Sequence, residues 1–509
     1  MGVFARSGSF RSIAGAIALA SFWGVASSPP AFAQEKLPVT HERPADELEA
    51  AARIDGRELF NRQWKPGDER SHGGDGLGPM FNEKSCVACH KDGGVGGGGP
   101  RENNAMILTP LVSARPLTLP GEADKPPFTQ EELTNVHPGL KTSPSVVLHR
   151  FSTTDLYDKW LNARRGSYGP TRTIVDRKFI SSLMAKRIET LRGKTHHVPT
   201  VKLVDKVTVV ATERNTTPLF GAGALDKVSD QELLNAETVR FADWPEVTGR
   251  AVRFEDGRVG RFGWKSQQPS LREFVATACA VELGLQVPDF HQSMDPRNPS
   301  NDEEKGLDLN HAEVTALAIF VAGLDKPATR MGLTDAEKKI AASGLQAFKA
   351  VGCAACHRPE LGSLKGAYTD LLVHDIGPQL ADTGQYYAMS TPPLEALQLA
   401  GEQRADASPA DRNEWRTPPL WGLRDSAPYM HDGRADTIEE AIAWHGGEAN
   451  RSVAAYFSLS AARKTALLAF LDTLAAPKNV PAKPNAAAEV AAPVFRPTSL
   501  PRAAVKRVD

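Results

Sequence analysis

The chain has 509 residues, room for roughly two to four domains, with 41% apolar and 24% charged residues, an ordinary balance for a globular core. Lys and Arg total 60 against 61 Asp and Glu, which gives no footing for a nucleic-acid or polyanion partner. Five cysteines are too few for a disulfide scaffold, while 42 Gly and 37 Pro point to a loop-rich chain.

Residues 1–33 carry the pattern of a secretory signal. Arg6 and Arg11 give a basic start without acids, Ile13 to Val25 is mostly apolar and small, and Ala31-Phe32-Ala33 supplies a small-x-small cleavage site. The apolar run is too short to span a bilayer and is broken by Ser-Ser-Pro-Pro at 27–30. No later segment reads as a membrane span, so an exported, periplasmic protein is expected.

Two copies of a five-residue string follow, CVACH at 86–90 and CAACH at 353–357. Two thiols three positions apart can each add across one vinyl group of a haem, and the adjacent histidine then lies under the ring as the proximal ligand. Zinc knuckles and thioredoxin-like dithiols also use CxxC, but neither requires a histidine directly after it. The pattern predicts two covalently bound haem c groups, one on Cys86 and Cys89 with His90, the other on Cys353 and Cys356 with His357. Such attachment takes place outside the cytoplasm, in keeping with the leader. The glycine-rich run at 93–99 reads as a flexible loop, and the alternation within THHVPTVKLVDKVTVVATE (195–213) as a short strand pair. The fifth cysteine, Cys279, lies among helically spaced Leu271, Phe274, Ala278, Val281 and Leu285 and reads as a buried free thiol.

An internal repeat sets the organisation. LNHAEVTALAIFVAGLDKP (309–327) aligns without gaps to LSAARKTALLAFLDTLAAP (459–477), with eight of 19 positions identical. Each copy has helical apolar spacing and ends at a proline. Related Thr-Pro-Leu turn stretches lie upstream, at 215–234 and 416–442. Each unit thus runs haem string, turn, closing helix, and the expected fold is mainly α, with two tandem cytochrome c-like domains. From His90 to Leu309 is 219 residues, but from His357 to Leu459 only 102, so the first domain carries a large insertion. The expected boundaries are 34–330 and 331–477, followed by a disordered Ala-, Pro- and Val-rich tail at 478–509.

The segments FNEKSCVACHKDGG, TTPLFGAGALD, GRFGWKSQQPSLREFVA, YTDLLVHDIGPQLAD and RTPPLWGLRDSAPYMHDGRADTIEEAIAWHGGEA occur in this order before the closing helix. Together they resemble the di-haem oxidoreductase family within the superfamily of bacterial di-haem cytochrome c peroxidases. The resemblance spans roughly residues 50–477 and is most specific at 416–449. It implies two all-α c-type domains and an active site at the N-terminal haem near the domain interface. It also implies a six-coordinate C-terminal haem that stores an electron.

For the sixth ligand of the C-terminal haem the candidates are Met430 and His445. In related peroxidases the axial ligand follows the equivalent of His431 by the 14 residues that separate it from His445, so the resemblance favours His445. That pair would be bis-histidine and low in potential, unlike the Met-ligated peroxidases. His431 reads as a structural or propionate-contacting residue. The N-terminal haem has several candidates, Met80, Met106, His149, His196 and His197, and none is singled out. His149 beside Arg150 could also serve proton transfer, although a core histidine beside a surface arginine is the simpler reading. Trp264 could relay electrons but reads first as a packing residue, and Lys265 is a weak ligand candidate. No catalytic residue is assigned.

The expected function is a periplasmic di-haem oxidoreductase that reduces peroxide or another small oxidant at the N-terminal haem. Electrons would come through the C-terminal haem from a small periplasmic donor such as a cytochrome c or cupredoxin. The rivals are a non-catalytic electron-transfer cytochrome and a di-haem oxygenase or maturation enzyme. Calcium enters by resemblance only, and no run of oxygen ligands is assigned to it.

Overall fold

The computed structural model describes residues 44–477 except 112–127, 142, 169–170, 175–184, 192–194, 199, 294, 296–305, 328, 383, 385 and 387–409. The leader at 1–33 and the tail at 478–509 therefore lie outside the described residues. Among those described, the fold is organised by two helix crossings. Helix Gly56–Asn61 starts where the Asp55 carboxylate accepts hydrogen bonds from the Arg57 and Glu58 amides. Helix His311–Ala322 starts with a reciprocal cap between Asn310 and Glu313. The two can cross closely because Gly56 has no side chain: a Cβ there would stand 2.3 Å from the Ala316 carbonyl oxygen. One turn on, Phe60 packs against Phe320 with ring centroids 5.3 Å apart.

The second half repeats this contact. Helix Asp335–Ala350 crosses helix Ala461–Asp472 at Gly344, where a Cβ would lie 1.9 Å from the Ala466 carbonyl oxygen. Phe348 then meets Phe470 at 5.4 Å. Ala316 and Ala466 hold the same place in the sequence repeat, as do Phe320 and Phe470, and the two closing helices begin and end at equivalent positions. Periodicity predicts the closing helices but not their partners: GRELFN is too short to display a period, and its Gly-x-x-x-Phe spacing acquires meaning only against the other helix.

The mainly helical expectation holds only in part. The hairpin expected within 195–213 is present, as strands Thr200–Val204 and Val207–Arg214 joined at Asp205 and Lys206, with Asp205 at a left-handed φ of 52°. Strands Ala105–Pro110 and Val146–Leu148 extend it to an antiparallel sheet of four. Leu108, Val146, Val207 and Val209 pack on one side with Leu133, Tyr157 and Trp160. From the other side Ile107 and Val147 reach Val281, on helix Leu271–Glu282. The sheet thus braces the helix that carries Cys279 and Glu282. From Pro44 onward the chain forms one compact unit, so the two similar halves share a body.

Replacing Gly344 by Ala should overpack the second crossing and cost about 1–3 kcal/mol or more. Denaturant unfolding of Gly344→Ala against the parent protein measures this, and an unchanged midpoint would contradict the crossing as described.

Candidate functional site

Each CxxCH string ends in a histidine whose ring is already oriented. His90 Nδ1 donates to the Gly97 carbonyl at 3.1 Å, and His357 Nδ1 donates to the Tyr368 carbonyl at 3.1 Å. The preceding carbonyls, Gly96 and Ala367, accept from Leu219 and Leu420 of the two Thr-Pro-Leu turns, at 2.7 and 2.9 Å. The glycine-rich run after the first string is therefore a carbonyl platform as well as a loop. Donation from Nδ1 fixes the tautomer and leaves Nε2 with its lone pair for a metal. Burial holds both imidazoles down at about 4, so both are neutral at ordinary pH. The four string cysteines are free thiols beside these rings.

The C-terminal cavity, about 270 Å³, is lined by Cys353, Cys356, His357, Met430, His431 and His445 among mostly apolar side chains. His445 caps helix Ile438–Trp444, and its Nδ1 donates to the Ala441 carbonyl at 2.7 Å, which again frees Nε2. The His357 and His445 ring centroids are 6.4 Å apart. With their Nδ1 atoms both donating, His357 and His445 could each offer Nε2 to a metal held between them. Met430 shares the cavity at a left-handed φ of 74°. Arg416 is a buried cation in the same wall, and among the described residues its acceptors are the Gly263 and Thr417 carbonyls rather than an acid. It is an apt partner for a carboxylate of a bound group.

His374, which the sequence reading passed over, lies against the second string. Its Nδ1 meets Glu448 at 2.7 Å and its Nε2 meets Asp370 at 3.1 Å, with Cys356 Sγ at 3.5 Å. Burial works to depress its pKa, but the charge and hydrogen bond of Asp370 work against it, and the group lies well above the usual imidazole range. No motif marks this group, because its partners are four and 74 residues away.

The N-terminal cavity, about 130 Å³, is lined by Cys86, Cys89, His90, Cys279, Glu282 and Tyr386, among others. It differs from the first in one respect: among the described residues lining it there is no methionine and no second histidine. Glu282 takes that side. Tyr386 Oη donates to its Oε1, and Asn82 Nδ2 donates to its Oε2 at 2.7 Å. Burial raises the Glu282 pKa against the pull of those two hydrogen bonds. Cys279 is buried as expected, and the structure adds that it faces this cavity.

The remaining candidates fall elsewhere. Met80, Met106 and His149 line neither cavity; His149 Nε2 donates to the Val281 carbonyl at 2.9 Å and so ties the sheet to the Glu282 helix. His196 and His197 lie on a strand whose side chains are outside the described set. Lys265 is clamped by the Asp411 and Glu414 carbonyls at 2.7 and 2.9 Å and lies over the Trp415 ring. Trp264 lines both cavities, with Nε1 donating to the Asn215 carbonyl at 3.0 Å. His431 stacks on Trp415 at 3.6 Å, and its Nε2 is buried without a hydrogen-bond partner.

A family model described as "Di-haem oxidoreductase, putative peroxidase" matches residues 177–474, which include the second haem string but not the first. The cytochrome-c peroxidase IdrP2 of Denitromonas iodatirespirans is 34% identical over 144 residues, 25% of this chain and 38% of that protein. The methylamine utilization protein MauG of Methylorubrum extorquens is 30% identical over 192 residues, 35% of this chain and 48% of that protein. The chain thus spans half or less of the curated relatives it matches. Hydrazine synthase of Kuenenia stuttgartiensis aligns over 71% of this chain and 99% of that one, at 17% identity and a TM-score of 0.28, too low to transfer a fold.

The His374 cluster carries a stability prediction with a defined sign. Its imidazolium contributes fully below the ordinary value of 6.5 and is lost as pH rises through its raised folded value. Asp370 and Glu448, both lowered, contribute above the ordinary carboxylate range and are lost as pH falls. His374→Gln should cost about 1–3 kcal/mol near neutrality, because half-buried Glu448 loses its hydrogen-bonded cation while buried Asp370 is left with Arg358 at 3.6 Å. Denaturant midpoints across pH should also show that the variant lacks the alkaline decline of the parent.

Proposed function

Because the chain belongs to the di-haem oxidoreductase family, we propose that it is an exported c-type enzyme that reduces peroxide or a similar small oxidant. In this reading Cys86, Cys89, Cys353 and Cys356 anchor two haems, with His90 and His357 as proximal ligands. His445 is the distal ligand of the C-terminal haem, which takes electrons from a small soluble donor in the periplasm. The leader-like residues 1–33 support export, and the oriented imidazoles and free thiols support the attachment.

The observation that carries the reading is the inequality of the two cavities. A second imidazole stands 6.4 Å from His357, whereas no second imidazole or thioether lines the cavity of His90 among the described residues. A pure electron carrier has no use for an open coordination position. When bound, the N-terminal haem supplies an iron at which an oxidant can be bound and reduced. The chain supplies the proton handling. Glu282 Oε1, facing that cavity beside the Tyr386 hydroxyl, can take a proton from an arriving oxidant and return it to a departing oxygen. Asn82 fixes the other carboxylate oxygen, so the group cannot swing away. In the C-terminal cavity Arg416 is placed to hold a haem carboxylate.

Two measurements test this. Electronic and paramagnetic spectra of the purified protein should contain a high-spin component that changes on adding peroxide; purely low-spin spectra in both oxidation states, indifferent to peroxide, would refute the enzyme. If Glu282 must be ionised to accept the proton, kcat/KM for peroxide should rise with pH through its raised pKa, above the ordinary glutamate range. Glu282→Gln should lower kcat/KM about 10²–10⁴-fold and abolish that acid limb. A variant with an unchanged pH–rate profile would remove Glu282 from the proton path.

A further inference from the structure

The inserted part of the first half reaches the C-terminal cavity through a helix that neither the cysteine strings nor the repeat explains. Helix Ala185–Leu191 packs on helix Ile438–Trp444, the element that ends at His445. Two of its side chains, one turn apart on the same face, are sunk into the second half. Leu191 is fully buried in the apolar cluster that holds Phe348, Trp444, Tyr456 and Leu467. Arg187 is 4% exposed, and its guanidinium donates to the Ala443 and His445 carbonyls, with Asn450 Oδ1 at 3.4 Å. Among the described residues no carboxylate pairs with it.

A buried cation with only carbonyl and amide acceptors is costly unless the geometry it imposes has a use. Its acceptors are at the end of a helix whose last carbonyls lack intrahelical partners and attract positive charge. The ring of His445 is aimed from one side by the Ala441 carbonyl. Its main chain is held from the other side by Arg187. The seven-residue segment containing Arg187 is thus a strap from one half over the distal ligand of the other.

We propose that Arg187 is a positioning residue for His445, so that the insertion in the first half sets the axial ligation of the C-terminal haem. This rests on the reading of His445 as distal ligand. It implies that the two halves are coupled through the strap: displacement of helix Ala185–Leu191 would loosen the sixth ligand and open the second iron. A buried positive charge near that iron also opposes the loss of an electron, so its removal should move the C-terminal haem to lower potential.

The test uses the full-length protein carrying both haems. In Arg187→Met a large part of the C-terminal low-spin signal should convert to high spin, and added imidazole should restore it. Peroxide turnover should fall in kcat with KM for peroxide little changed, because the N-terminal cavity is untouched. Leu191→Ala removes packing from the same helix without touching the carbonyls, so it should lower the melting temperature and leave the spectrum alone. Should Arg187→Met fail to accumulate, Arg187→Gln, able to reach only one of the two carbonyls, should show a partial conversion. An unaltered low-spin spectrum in whichever variant folds with two haems overturns the proposal. His445→Ala measured alongside separates the failures. If His445→Ala changes the spectrum and the Arg187 variant does not, only the positioning role falls; if His445→Ala leaves it unaltered, the ligand assignment falls and takes the proposal with it.

Discussion

Everything in this fold hangs on a pair of consecutive main-chain carbonyls after each haem string. In the first half Gly96 holds the Leu219 amide and Gly97 holds the His90 ring; in the second, Ala367 holds Leu420 and Tyr368 holds His357. One carbonyl orients the imidazole that ends the string, and its neighbour pins the turn that walls the cavity. Chain direction, tautomer and cavity wall are therefore set together, and a shift of one residue in either loop would lose all three. The turns also meet each other: a Cβ on Gly221 would lie 2.7 Å from the Trp421 ring, and one on Gly422 would lie 3.6 Å from Phe220. Both glycines have left-handed φ angles, 70° and 73°. The near-symmetric contact brings the two cavities close enough for Trp264 to line both.

That symmetry is broken on the far side of each cavity. The sides that carry His90 and His357 are equivalent down to the tilted contacts of Phe60 with His90 and Phe348 with His357, both at 50°. The opposite sides are not. One ends a helix with His445, whose ring is fixed by its own helix; the other ends a helix with Glu282, whose carboxylate is fixed by Tyr386 and Asn82. The sheet of the insertion underlies this difference, since Ile107, Val147 and His149 brace the Glu282 helix at Val281. An insertion that looks peripheral in sequence thus supports one cavity through its sheet and covers the other through helix Ala185–Leu191.

What could be read from the sequence follows from range. The CxxCH strings stand out in the sequence because each places two thiols and an imidazole within five residues. The closing helices were legible because 12 residues display a period and a duplicate confirmed it. The Gly-x-x-x-Phe helices were not, since a glycine chosen for a close crossing looks like any other. Nor was the full sheet, because strands Ala105–Pro110 and Val146–Leu148 are short and separated in sequence. Glu282 escaped for a different reason. It reads as the polar end of an amphipathic helix, and its raised pKa arises only when burial removes water from it. His149 is the converse: the simpler reading beside Arg150, a core histidine, matches a buried ring bonded to the Val281 carbonyl.

Buried cations crowd the wall between the two cavities. Lys265 and Arg214 both lie over Trp415, and burial, followed by the charge of Arg214, brings the Lys265 pKa down to about 7. Arg214 is matched by Asp382, and Arg434 by Asp432. Arg416 and Arg187 stand apart, for neither has an acid partner among the described residues, and burial depresses both to about 10. A haem carboxylate against Arg416 would neutralise the first. Among the described residues nothing of that kind faces Arg187, whose acceptors are the Ala443 and His445 carbonyls and Asn450 Oδ1. Two histidine ligands pull a haem to low potential, and a residual positive charge works against them. The poise of the second haem in the proposed enzyme would then be a balance between a ligand supplied by one half of the chain and a charge supplied by the other.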